Sequence, residues 1–193
     1  VLKGFGQQGT GSWSAGGDLN TARGIQSSGG TNTAAITVAG NVPPSTDKVE
    51  TYDGTAWTEV NDVNTARIYP AGFGTVTAAL TAGGEPISTI TETYDGTSWT
   101  EVNDVNTARS ASAGAGTSTS ALNFGGNDGS DRGYTESWNG TNWTETTDMN
   151  SGRRELAGAG ATNTASLAFG GKPNQAETEL WNGSNWTEVN DLN

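Results

Sequence analysis

The sequence predicts an all-β protein made of repeated, small antiparallel units, and three observations carry that expectation. Trp13, Trp57, Trp99, Trp143 and Trp186 follow one another at steps of 44, 42, 44 and 43 residues, a period typical of stacked repeats. Glycine pairs and Asp-Gly or Asn-Gly dipeptides recur at fixed offsets from those tryptophans, punctuating each step into short strands and turns. Only 32% of the 193 residues are hydrophobic, yet the seven Trp, four Tyr and four Phe mostly keep fixed places in the repeat. Many short strands, each burying one face, can build a core from so few apolar residues.

Residues 1–22 read as a lead-in holding a partial copy: Trp13, Asp18, Asn20 and Arg23 keep the repeat spacing, while Gln8 replaces the aromatic expected five residues before Trp13. Divergent terminal copies are common in repeat proteins, because a neighbour covers only one side of them. Val1 without a preceding Met reads as the start of a processed or excerpted piece. Four full units follow, at 23–66, 67–108, 109–152 and 153–193, each opened by an arginine ten residues after a tryptophan.

Within a unit, the first strand is small and glycine-rich, as in Ala71-Gly72-Phe73-Gly74, Ala113-Gly114-Ala115-Gly116 and Ala157-Gly158-Ala159-Gly160. Glycine inside a strand marks close backbone approach, so this strand is expected innermost, at an axis. The second strand (Ala78 to Ala82, Ala121 to Phe124, Leu167 to Phe169) ends at Gly83-Gly84, Gly125-Gly126 or Gly170-Gly171, with Ala39-Gly40 in the first unit. A loop of variable length follows, and variable loops lie on surfaces. The third and fourth strands form a hairpin around Asp53-Gly54, Asp95-Gly96, Asn139-Gly140 or Asn182-Gly183. These dipeptides predict a two-residue type I′ turn. That turn would set Tyr94 opposite Thr97 and Glu92 opposite Trp99, leaving Tyr94 and Trp99 as diagonal neighbours on one face.

The glycine pair, the aromatic ten to twelve residues later, the following tryptophan and the arginine opening the next unit together resemble the kelch repeat. That resemblance spans residues 13–193 and implies a kelch-type β-propeller of four-stranded antiparallel blades. Four complete units give four blades, although the phrase around Trp13 repeats the one around Trp186, so both termini offer a fourth-strand equivalent. Two arrangements follow: four blades closed on themselves with residues 1–22 leading in, or an arc of a larger ring. The Ala- and Gly-rich inner strands favour four blades crowding one axis. An unpaired outer strand would favour self-association through the termini.

Composition narrows the function. With 9 basic against 21 acidic residues the net charge is −12, which repels a nucleic-acid backbone. No run approaches 18 consecutive apolar residues, so no membrane insertion is expected. There is no His and no Cys, which removes imidazole bases, thiolate ligands and disulfides. The copper oxidases of the galactose oxidase type, which the kelch resemblance brings to mind, use histidines and a cysteine-linked tyrosine, so that activity does not carry over. The Asp-Gly-Thr-x-Trp phrase is similar to the Asp box of sialidases, where it is a structural turn, and the sialidase arginine cluster has no match here. No acid, base and nucleophile converge, so the chain is expected to be no enzyme and to need no cofactor.

The most regular polar feature is Asp-x-Asn-x-x-Arg, present as Asp62, Asn64 and Arg67; as Asp104, Asn106 and Arg109; and as Asp148, Asn150 and Arg153. On one reading each Asp and Asn caps its loop while each Arg pairs with a carboxylate of its own or the next blade. On the other, the groups ring a binding face for a sugar or for Ca²⁺. In antiparallel blades this ring shares its side with the variable loops. Asn139, Asn142, Asn182 and Asn185 stand in N-x-S/T sequences as glycosylation candidates on the opposite side. The expected role is a non-catalytic structural or binding module on the outside of a cell or virion, in an appendage or fibre, with other protein subunits as partners. Near-identical acidic repeats of this kind resemble proteins encoded by environmental phages and bacteria. A carbohydrate-binding lectin attached to surface glycans is the alternative, and an interaction adaptor of the eukaryotic kelch kind the third.

Overall fold

A computed structural model describes residues 16–173 and 175–192; the partial copy around Trp13 lies outside them. Among the described residues, sixteen strands and no helix make up four separate four-stranded antiparallel sheets, each with its strands in chain order. The first blade is β1 (Ser27–Thr31), β2 (Ala34–Gly40), β3 (Thr46–Tyr52) and β4 (Trp57–Val60). The second is β5 (Ala71–Thr75), β6 (Ala78–Ala82), β7 (Thr91–Tyr94) and β8 (Trp99–Glu101). The third is β9 (Ala113–Thr117), β10 (Ser120–Phe124), β11 (Thr135–Trp138) and β12 (Trp143–Glu145). The fourth is β13 (Ala157–Thr162), β14 (Ala165–Phe169), β15 (Thr178–Trp181) and β16 (Trp186–Val189). The architecture is that of a four-bladed propeller.

The glycine-rich strands are the innermost. β1, β5, β9 and β13 surround a narrow axial cavity of about 250 Å³ lined mainly by Gly and Ala from all four blades. A Cβ on Gly158 would stand 2.6 Å from the Gly114 carbonyl oxygen, and one on Gly29 2.8 Å from that of Gly74. Only hydrogen fits there, which is why the strands nearest the axis carry so little side chain.

Blades pack through two unlike faces. Pairing registers set Tyr52 opposite Trp57, Tyr94 opposite Trp99, Trp138 opposite Trp143 and Trp181 opposite Trp186. Each aromatic pair of the second, third and fourth blades lies on the aliphatic face of the blade before it. Tyr94 and Trp99 pack on Ile36, Val38 and Val49; Trp138 and Trp143 on Phe73 and Leu80; Trp181 and Trp186 on Leu122 and Phe124. Trp143 meets Phe73 with ring centroids 6.1 Å apart, and Trp186 meets Phe124 at 5.0 Å in an edge arrangement. Burying each large apolar side chain contributes roughly 1.5–3 kcal/mol, so these three interfaces are the core.

One expectation is corrected. The hairpin turns are four-residue loops and not two-residue type I′ turns: Tyr94 pairs directly with Trp99 and Glu92 with Glu101. Gly96 has φ 94°, but Asp95 does not have the positive φ that a type I′ turn requires. The Asp95 carboxylate instead accepts the N–H groups of Thr97 and Ser98, each at 2.8 Å, and this side-chain cap holds the wider loop. Asp53, Asn139 and Asn182 do the same. The aromatic pair still occupies one face, now as opposed rather than diagonal residues. Closure distinguishes the two expected arrangements. β1 packs on β5, β5 on β9 and β9 on β13, but among the described residues β13 makes no comparable packing with β1. Among the described residues, the four blades form an arc whose last interface is not made.

At the inner turn of the third blade, Gly116 has φ 112° and its added Cβ would lie 2.2 Å from the Ser120 carbonyl oxygen. Gly116→Ala is expected to lower stability by about 2–3 kcal/mol, read by thermal or urea unfolding. A variant that melts with the wild type would contradict this close approach.

Candidate functional site

The repeated Asp-x-Asn-x-x-Arg segment leaves the end of one blade and enters the next, and the structure shows where each group goes. The Asp stays with its own blade: Asp62 Oδ1 accepts the Val49 N–H at 3.3 Å, Asp104 that of Thr91 at 3.1 Å and Asp148 that of Thr135 at 3.2 Å. The Asn and Arg reach forward to one glutamate in the third strand of the following blade. The Asn64 backbone and side-chain N–H groups donate to Glu92 at 2.7 and 2.8 Å, and Arg67 forms an ion pair with the same carboxylate. Asn106 and Arg109 hold Glu136 in the same way, with the Arg109 Nη1 at 2.6 Å, and Asn150 and Arg153 hold Glu179, again with Nη1 at 2.6 Å. Before the first blade, Asn20, Thr21 and Arg23 do so with Glu50.

The ion pairs of these clasps are enclosed. Arg67, Arg109 and Arg153 are 1%, 0% and 0% exposed, and Glu50, Glu92, Glu136 and Glu179 0%, 0%, 1% and 1%. Asn64, Asn106 and Asn150 also donate to the carbonyl oxygens of Trp99, Trp143 and Trp186, each at 3.3 Å, tying the clasp to the hairpin it crosses. The guanidiniums therefore point into the protein, and their Nη groups are engaged with protein oxygens, apart from the Arg153 Nη2. Burial pulls the Arg67 pKa down while Glu92 holds it up. Burial disfavours charge on Glu50, but the donors from Asn20 and Thr21, with Arg23, outweigh it and hold its carboxyl below the usual range.

Sequence reasoning picked out the Asp, Asn and Arg positions but not the glutamates that receive them. Their signal was present: Glu50, Glu92, Glu136 and Glu179 each stand two residues before the first aromatic of a hairpin. Among the described residues, no group of three or more His, Cys, Asp or Glu is arranged to hold a metal ion. The glycosylation candidates Asn139, Asn142, Asn182 and Asn185 are exposed at the outer turns. The side-chain oxygens of Asn139 and Asn182 cap those turns, and that of Asn142 accepts the Asn103 amide at 2.8 Å.

One cleft departs from the repeat. Thr107, Tyr134, Thr135, Glu136, Glu145, Thr146 and Asp148 line a cavity of about 480 Å³ on the third blade. Tyr134 stands where the other blades have Lys48, Ile90 and Glu177, and the Arg132 guanidinium lies over its ring at 5.4 Å. Arg132 in turn bonds Asp128 at 2.8 Å. An aromatic ring beside hydroxyls and carboxylates is chemistry suited to a polar, hydroxylated ligand.

The fold and these clasps define a propeller-like repeat protein of four antiparallel blades. No protein-family model matches the chain, and neither does any curated protein.

Removing one partner of a buried ion pair leaves the other charge uncompensated, at a cost of about 3–5 kcal/mol. Glu136→Ala is expected to destabilise by that order in urea unfolding, and the double variant Arg109→Met with Glu136→Leu to recover part of it. A Glu136→Ala protein as stable as the wild type would contradict the clasp.

Folding also lowers the carboxyl pKa values of Glu50, of Asp53 through the N–H groups of Ala56 and Thr55, and of Asp95 through those of Ser98 and Thr97. Their ionised forms favour the folded state. This stabilisation is complete above the ordinary carboxyl range near pH 4 and is lost as pH falls through the lowered folded values. The melting temperature should stay level from neutral pH to about pH 5 and drop below about pH 4. A rise between those values on acidification would contradict the assignment.

Proposed function

We propose that this chain is a non-catalytic, kelch-like structural and binding module of an extracellular appendage or virion fibre, acting in protein–protein assembly or surface attachment. The observation that carries this reading is the use of the repeat's polar residues. The Asn, Arg and Glu that recur in every unit hold blade to blade, and each Arg–Glu pair is buried with little of it left for substrate. A glycine whose N–H donates to the carbonyl of the next unit's arginine, followed by an aromatic pair and a buried arginine, agrees with the kelch resemblance. Acidic composition without cysteine suits a soluble particle exposed to varied redox conditions.

A lectin is the second reading, favoured by the cleft around Tyr134, because a ligand site is expected to break the repeat and this one does. Two measurements separate the readings. Antibodies raised against the purified protein should label the outside of intact producing cells or particles in immunogold microscopy, and label confined to the interior would contradict the proposal. A glycan array should stay at background for a purely structural module. A reproducible sugar signal that Tyr134→Ala abolishes, with the melt unchanged, would establish the lectin instead.

A further inference from the structure

Every internal interface joins an aliphatic face to an aromatic face and carries the same backbone bonds. The Tyr69 N–H donates to the Ile25 carbonyl at 3.0 Å, Ala111 to Tyr69 at 3.0 Å and Glu155 to Ala111 at 2.8 Å. In the opposite sense, Gly40 donates to the Arg67 carbonyl at 2.9 Å, Gly84 to Arg109 at 3.0 Å and Gly126 to Arg153 at 2.9 Å. Both series stop with their halves unused. Among the described residues, the Glu155 carbonyl and Gly171 N–H at the far end, and the Ile25 N–H and Arg23 carbonyl at the near end, have no such partner.

The side chains tell the same story. Ala157 and Ala159 on the fourth blade are exposed, whereas their equivalents Ala113 and Ala115 are buried. Leu192 is 52% exposed, whereas Val63, Val105 and Met149 at the same place are 2%, 2% and 5%. Leu180, 45% exposed, is apolar where the other blades have Thr51, Thr93 and Ser137. At the near end Tyr52, Trp57 and Ala35 are half-buried, while Tyr94, Trp99 and Ala79 are covered. Among the described residues, the fourth blade thus offers an exposed aliphatic face, and the first a half-buried aromatic one bordered by Gly16 and Gly17.

We propose that the aliphatic face of the fourth blade seats the Tyr52–Trp57 face of a second copy of this chain, head to tail. This deepens the assembly role proposed above and rests on it. The Ile25 N–H of one copy meets the Glu155 carbonyl of the other, and the Gly171 N–H meets the Arg23 carbonyl, reproducing the internal bonds. The chain's own first blade is a poorer occupant. Bringing it round would tighten three interfaces whose backbones already touch at the axis, where hydrogen alone separates Gly158 from Gly114 and Gly29 from Gly74. Register agrees: Leu192 holds the place that Leu19 holds before the Asn20–Arg23 clasp, so the incoming copy's residues 16–19 yield to the segment 186–192. A heterologous contact of this kind grows with concentration. With a net charge of −12 per chain, it tightens as salt screens repulsion.

The test uses sedimentation velocity on the full chain. Wild type should exceed the mass of one chain as concentration rises. Ala35→Arg blocks the near face, and Leu180→Arg with Leu192→Arg blocks the far face; each variant alone should hold the mass of one chain. Mixed, they should form a species of roughly twice that mass, because each retains one intact face. Leu180→Thr, the kind of residue the other blades use, should weaken wild-type association about tenfold without moving the melt.

A wild type that stays at single-chain mass, a far-face variant that still associates, or a mixture that does not would each overturn the proposal. So would a monomer that the far-face substitutions destabilise, since that reports closure within one chain. Loss of association with exterior immunogold label intact sinks this proposal alone, whereas interior label sinks the reading beneath it.

Discussion

A single buried carboxylate in the third strand of each blade organises the molecule. Glu50, Glu92, Glu136 and Glu179 are cut off from water, where a lone negative charge would be too costly to keep. Each is made tolerable by a backbone N–H, an amide and a guanidinium, all delivered by the segment arriving from the preceding unit. Burying such a pair contributes little net stability compared with an apolar substitute of the same shape, but leaving it half made is severely unfavourable. The clasp therefore acts as a registry device: a blade that slipped against its neighbour would strand a charge. The aromatic and aliphatic faces supply the driving force, and the clasps fix the one alignment in which they meet.

This division of labour gives the arc a direction. Each blade donates its aromatic face backward and its aliphatic face forward, so a row of blades has two different ends, as a strand has. Curvature at the axis is set by glycine contacts with no room left to compress. The number of blades within one turn is then a consequence of how thick the side chains are between blades. The large Trp and Phe rings between the later blades, with small residues at the axis, splay neighbouring sheets apart on the outside and draw them together inside.

Much of the blade plan was legible in the sequence. The innermost position of the glycine strands, the four strands per unit and the single face shared by each aromatic pair follow from spacing and residue type, whereas spacing left open whether Arg67, Arg109 and Arg153 pair within their own blade or with the next. The turn geometry did not follow. Asp-Gly and Asn-Gly favour a tight hairpin in isolation, but Asp95 and Asn139 can also cap backbone N–H groups two and three residues on, and that competing bond widened the loop. The receiving glutamates were in plain view at their repeat position. They went unassigned because a Glu beside a Thr in a short strand looks solvent-facing until the neighbouring blade is placed over it.

By itself the sequence determined everything that depends on local periodicity: the strands, their order within a blade, the direction of successive units and the absence of histidine and cysteine chemistry. Tertiary structure alone decided which charges are buried, because burial of Glu92 depends on Asn64 and Arg67, nearly thirty residues away, crossing above it. It alone decided that, among the described residues, the fourth blade does not pack on the first. The same phrase occurs around Trp57 and Trp186, yet its environment depends on whether another blade stands against it, and no stretch of sequence encodes the angle that four packed sheets add up to.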